Sequence, residues 1–120
     1  MDINQTLSEL KKDPEFARNV GMVLVHNGIV RTWSRADGSE VTAVEVKADH
    51  AKVAALCREY EQKPGIYKVL AEAREGKLYP GDDLLFIVVA GALREEVKAV
   101  LAELLDRIKD EAVSKTEETI

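Results

Sequence analysis

The chain has 120 residues and a formal net charge of -5, with 46% apolar and 32% charged residues. That is one domain's length with a globular composition, able to bury about two thirds of its unfolded surface, and the acid excess argues against nonspecific binding to nucleic acid or an anionic membrane as its main task. No apolar run reaches the ~18 residues of a membrane span, and the polar start Met1-Asp2-Ile3-Asn4 does not read as a signal peptide, so a cytoplasmic protein is expected.

Ile3, Leu7 and Leu10 suit a short helix that Asp13-Pro14 ends. Val20 to Val30 reads as a strand, interrupted near Asn27-Gly28, where a glycine marks a bulge or a close approach by another backbone. His26 within it reads as a hydrogen-bonded or edge-facing strand histidine rather than a metal ligand. Arg31-Thr32-Trp33 leaves the strand. Residues 34–39 (SRADGS) form a polar turn with Asp37-Gly38 as a hairpin signal. Val41, Ala43 or Val44, and Val46 continue as a second strand, expected to pair with the first as a hairpin with a mobile tip.

His50 to Gln62 reads as a helix with Asp49 as N-cap and Val53, Leu56, Cys57 and Tyr60 as its apolar stripe. Cys57, the only cysteine, reads as a buried, inert thiol. Lys63-Pro64-Gly65 stops this helix. Ile66 to Ala73 reads as a strand with one partly exposed face, broken at Gly76. The turn Tyr79-Pro80-Gly81-Asp82 leads into Leu84 to Ala90, whose branched and aromatic residues favour a buried strand. From Arg94 the period changes: Val97, Val100, Leu101, Leu104, Leu105 and Ile108 recur at helical spacing. Glu95 and Glu96 in its first turn, and Arg107 and Lys109 in its last, suit the helix dipole. After Lys109 the chain turns polar, and residues 110–120 are expected to form a loosely held tail, or one ordered only by a partner. The order α-β-β-α-β-β-α describes a single compact α+β (mixed α/β) domain over residues 1–120.

Many site patterns are missing. There is no phosphate loop, CxxC or HExxH, and two lone histidines argue against a zinc site, so neither metal nor cofactor is expected. Three basic residues stand out by placement. Arg31 follows the first long strand, Arg94 opens the last helix, and Lys109 lies fifteen residues on, roughly 60° around the axis from Arg94, so the two could border one side. Arginine and lysine at strand ends and helix starts suit a phosphorylated or carboxylated ligand; solvated surface charge is the plainer reading.

The order GMVLVHNGIVR, an Asp-Gly turn, EVTAVEV, a helix, then GKLYPGDDLLFIVVAGALREEV and a helix ending in RIK resembles the large, catalytic subunit of molybdopterin synthase, from Gly21 to about Lys115. The step Gly76-Lys77-Leu78-Tyr79-Pro80-Gly81-Asp82 before the apolar strand, Arg94 after it, and Gly28-Ile29-Val30-Arg31 carry the likeness. The resemblance implies the α/β-hammerhead fold of that subunit and conversion of cyclic pyranopterin monophosphate to the dithiolene of molybdopterin. Sulfur arrives as a thiocarboxylate on the Gly-Gly tail of a ubiquitin-like small subunit, and the large subunits form a homodimer with one small subunit at each end. It implies Arg31 and Arg94 as clamps for the phosphorylated pterin, Lys109 as the active-site lysine, and Lys115 as a second one.

The chain departs from the family at several points. Leu93 stands where the family has His, and His26 where an aromatic residue is usual. The family's Pro-x-Trp-Lys element after the last helix is replaced by Glu111-Ala112-Val113-Ser114-Lys115, its longer C-terminal tail does not follow, and Lys47-Ala48-Asp49 replaces a Glu-His/Tyr segment. A binding or regulatory relative that keeps the partner groove or an anionic pocket without the chemistry is the alternative.

Overall fold

The computed structural model describes residues 1–120 and is built on two three-stranded antiparallel sheets. The larger has the order β1 (Met22–Ile29), β5 (Asp83–Gly91), β3 (Ile66–Ala73). The smaller has the order β4 (Gly76–Leu78), β2 (Val41–Ala48), β6 (Val113–Thr119). Helices α3 (His50–Glu61) and α4 (Arg94–Glu111) belong to the larger sheet's core, and two short helices, α1 (Ile3–Lys12) and α2 (Phe16–Asn19), precede it. No helix is long and apolar enough to cross a membrane.

β5 is the axis of the larger sheet. Leu85 to Gly91 are all buried, as the unbroken apolar run requires of a central strand covered on both faces. Leu85, Ile87 and Val89, two residues apart, share one face. They join Val97, Val100, Leu104 and Ile108 of α4 and Val53, Leu56, Cys57 and Tyr60 of α3 in one core of 14 residues. Each fully buried aliphatic side chain there contributes about 1.5–3 kcal/mol by leaving water. The smaller sheet has its own core of Val30, Val41, Val44, Val46 and Leu78. Leu84 and Val113 pack against both cores and join them.

The expected hairpin between the first two strands does not form. β1 pairs with β5, from Met22 opposite Gly91 to Ile29 opposite Asp83, and β2 pairs with β4 and β6 in the other sheet. The Asp37-Gly38 turn closes only a short ladder, with a bridge between Trp33 and Glu40 and a 2.8 Å bond from the Val41 N–H to the Thr32 carbonyl. The chain is redirected at Val30, whose N–H donates to the Asp82 carbonyl while its own carbonyl accepts from Gly81. Gly81 makes this possible by adopting φ 94°, a left-handed conformation that disfavours residues with a side chain. The interruption expected at Asn27-Gly28 is present as a register shift between Gly28 and Ile29.

The expected loose tail is also corrected. Residues 110–111 finish α4, and β6 pairs antiparallel with β2 from Val113 opposite Ala48 to Thr119 opposite Val41. Its sequence lacks an apolar face, so the strand is held by its backbone ladder. The Asp49 N–H, which donates to the Ala112 carbonyl at 2.7 Å, ties down the turn before it. α2 and the separation of β4 into the second sheet were likewise not expected from the sequence pattern.

Candidate functional site

Where the two sheets meet the C-terminal end of α4, a cavity of about 810 Å³ opens. One wall is His26, Gly28 and Ile29 of β1, with Leu84 and Leu85 of β5 beside them. The turn after β1 adds Arg31 and Arg35, α4 adds Lys109 and Asp110, and β6 adds Ser114, Lys115 and Glu117. Three distant stretches of chain thus bring four cations to one cavity in a protein with net charge -5.

None of Arg31, Arg35, Lys109 and Lys115 takes part in an ion pair. Glu117 is the nearest compensating acid on β6, but its Oε1 accepts the Ser34 hydroxyl at 3.0 Å, and Ser34 is the only buried polar residue of the chain. The Arg31 guanidinium stacks on the Trp33 ring, 4.6 Å from its centroid, which fixes a planar cation at the rim. Burial, then the charges of Arg31 and Lys109, push the Lys115 ammonium below its usual pKa, with Glu117 opposing. Unpaired, partly desolvated cations of this kind suit an anionic ligand such as a phosphate or carboxylate. No three His, Cys, Asp or Glu side chains converge as metal ligands.

The structure therefore brings together Arg31, Lys109 and Lys115. It does not bring Arg94 to them. The fifteen residues between Arg94 and Lys109 lie on one continuous helix, about 22 Å apart along its axis at 1.5 Å per residue. The Arg94 side chain is 79% exposed and pairs with Glu95 at 3.4 Å. Leu93 lies beside it, exposed, at the same far end. The expectation that Arg94 and Lys109 border one ligand fails within one chain because angular proximity on a helix says nothing of axial distance.

Two lining residues were missed as site residues. Arg35 was read as part of a polar turn only. His26 does lie on an edge strand of the larger sheet, one of its two expected settings, but its Nε2 is buried and has no hydrogen-bond partner. The signal for it was Gly28, two residues on and on the same strand face. Cys57 is as expected: burial pushes its thiol up to about 11, leaving it unreactive.

The chain has relatives among known proteins. The family described as "MoaE protein" matches residues 1–111. The chain is 28% identical over 111 residues to a "Probable molybdopterin synthase" of Haloferax volcanii, an alignment covering 89% of this chain and 42% of that protein. It thus spans less than half the length of this curated relative. The structure of molybdopterin synthase from Staphylococcus aureus superposes with a TM-score of 0.73 at 26% identity, covering 84% of this chain and 76% of that one. A chain from the complex of subunits 1 and 2 of molybdopterin-converting factor from Helicobacter pylori superposes with a TM-score of 0.71, covering 99% and 80%. At 17% identity this last likeness is one of fold.

Proposed function

Because the chain belongs to the MoaE protein family, we propose that it is the large, catalytic subunit of a molybdopterin synthase. In this reading it passes sulfur from a thiocarboxylated, ubiquitin-like small subunit to cyclic pyranopterin monophosphate, making the dithiolene of molybdopterin in the cytoplasm. The observation that carries it is the set of four unpaired cations around one cavity. The substrate's phosphate and the partner's thiocarboxylate are both anions, and a shared cationic cavity draws them together.

Each cation then has a task. Arg31, held by Trp33, clamps the phosphate together with Arg35 of the same turn. Lys109 projects from the last turn of α4 into the same cavity and holds the reacting sulfur or oxygen anion. Lys115, with its ammonium pushed down, gives up a proton more readily than a solvated lysine and serves as general acid. The relatives that the chain matches carry the name of the synthase, and this favours the catalytic reading over an inactive relative.

The reading includes a homodimer. Arg94 cannot reach the cavity of its own chain, so its role as a clamp requires that a second copy present it. The small-subunit partner is supported by the two-subunit complex among the structural neighbours. Genetic complementation tests the reading. The gene should restore molybdoenzyme activity to a strain lacking the large subunit when supplied with its own small subunit. No restoration by a well-expressed protein would refute it.

A further inference from the structure

We propose that the small subunit's tail docks on the outer edge of β6, adding to the smaller sheet as an antiparallel strand with its terminal carboxylate beside Lys109 and Lys115. The inference rests on the synthase reading above and specifies the atoms that hold the partner. β6 is an outermost strand, with β2 as its one neighbour. Such a strand leaves a row of backbone N–H and C=O groups unpaired, a template for a further strand. Val113, Ser114 and Lys115 all line the cavity. Consecutive strand residues point to opposite faces, so a cavity that touches three in a row runs along the edge of the strand rather than over one face.

The ladder to β2 identifies which backbone groups face the cavity. The Asp49 N–H donates to the Ala112 carbonyl at 2.7 Å, and Ala48 lies opposite Val113. Bonded and non-bonded pairs alternate along an antiparallel ladder. Counting on from Asp49 and Ala112, Ser114 and Thr116 bond to β2, whereas Lys115 opposite Val46 and Glu117 opposite Val44 turn their backbone groups outward. The Ile120 N–H, which donates to the Glu40 carbonyl at 3.2 Å, closes the far end in the same phase. No turn, loop or helix of the chain bonds the N–H or C=O of Lys115 or Glu117. Two donors and two acceptors therefore stand free at the cavity, about 7 Å apart along the strand, the spacing of every second residue of an added strand.

The occupant must supply an extended backbone and an anion. Main-chain pairing at a sheet edge needs no side chains, and a tail ending in glycines has little but its backbone to be recognised by. The four cations of the cavity, none of them in an ion pair, complement a terminal carboxylate. Charge also sets the direction. β6 runs from Val113, next to the end of α4 that carries Lys109, to Thr119. An antiparallel tail ends alongside Val113, near Lys109 and Lys115, whereas a parallel one would bring its carboxylate onto that of Glu117.

Amide hydrogen exchange followed by NMR on the full chain, alone and with its small subunit, tests this. Ser114 and Thr116 should be protected in both states, and Lys115 and Glu117 should slow roughly tenfold or more only on binding. Small subunits with proline, which has no N–H, at each of two neighbouring tail positions in turn give an independent reading. One should bind roughly tenfold more weakly and the other nearly as well as the wild type, because only alternate N–H groups of an added strand face β6. A small subunit that binds while Lys115 and Glu117 exchange as before, or that responds equally to both prolines, overturns docking on β6 and leaves the synthase reading standing. A small subunit that does not bind at all overturns both.

Discussion

The Ser34 hydroxyl donates to Glu117 Oε1 at 3.0 Å, joining residues 83 positions apart. Through this bond the turn that carries Arg31 and Arg35 is fastened to the strand that carries Lys115. It also fixes the position of a carboxylate whose charge opposes the lowering of the Lys115 pKa. Ser34→Ala should cost about 1.5–3 kcal/mol as a hydrogen bond to a charged group is lost. It should also let Glu117 approach Lys115 and raise its pKa further, moving the alkaline limb of the reaction upward. Thermal melts and a pH–rate profile read the two effects separately, and a drop in stability with an unmoved alkaline limb would deny the electrostatic half.

The cavity residues divide by task. Arg31→Ala should weaken substrate binding roughly 10–100-fold, the loss of a charge-assisted contact, with less effect on the chemical step. Lys115→Ala should slow the chemical step roughly 10²–10⁴-fold and leave binding nearly intact. In the wild type a protonated Lys115 is the active form, so the rate falls as pH rises through a midpoint below 10.5. Titration calorimetry and single-turnover rates distinguish the two variants, and equal effects on binding and rate in both would remove the division.

Arg94 and Lys109 lie at opposite ends of one helix, and this makes the homodimer testable through activity. Arg94→Ala and Lys109→Ala should each be inactive alone. Mixed, they should regain part of wild-type turnover, because a hybrid dimer contains one site with both residues intact. No recovery in hybrids that sedimentation shows to have formed would mean that Arg94 does not act across the interface.

Acid stability should depend on the clasp between α3 and α4. Arg107 bonds Glu59 and Glu111, and Lys52 bonds Glu111 at 3.2 Å. Arg107 first, then Lys52, hold the Glu111 carboxyl at about 2 against an ordinary 4.5. A depressed carboxyl stabilises the fold fully above the unfolded value, so this contribution is intact above 4.5 and is lost as pH falls towards 2. Glu111→Gln should flatten the stability profile across that window. Circular dichroism melts over the range will show it, and a profile parallel to the wild type's would exclude the clasp as a source of acid sensitivity.

Leu104 is fully buried between α4 and the central strand. Leu104→Ala should destabilise the protein by about 2–5 kcal/mol through lost burial and the cavity left behind. Denaturant unfolding measures this directly, and a loss well under that range would mean the helix repacks.

The elements that the sequence made legible are those where burial writes itself as a pattern. Leu84 to Ala90 form an unbroken apolar run because β5 is covered on both faces, and the stripe from Val97 to Ile108 follows from one buried helix face. Strand partnership left no such mark. A strand's residues say which face is buried but not what lies beside it, so the neighbour of Met22 is Gly91 rather than anything in the adjacent strand. β6 was invisible for the complementary reason: Val113 to Thr119 are held by backbone bonds to β2, with almost no apolar burial to read. At the site, Arg31 and Lys109 stand out by placement and Lys115 through resemblance, and their convergence depends on that unforeseen strand. His26 was visible as a residue but not as an orphaned buried atom, which only packing reveals.

The most direct measurement is single-turnover formation of the dithiolene from purified protein, thiocarboxylated small subunit and cyclic pyranopterin monophosphate. Sulfur should appear on the pterin with the wild type and be abolished in a folded Lys109→Ala protein. A wild-type protein that binds both the small subunit and the pterin but transfers no sulfur would contradict the synthase reading.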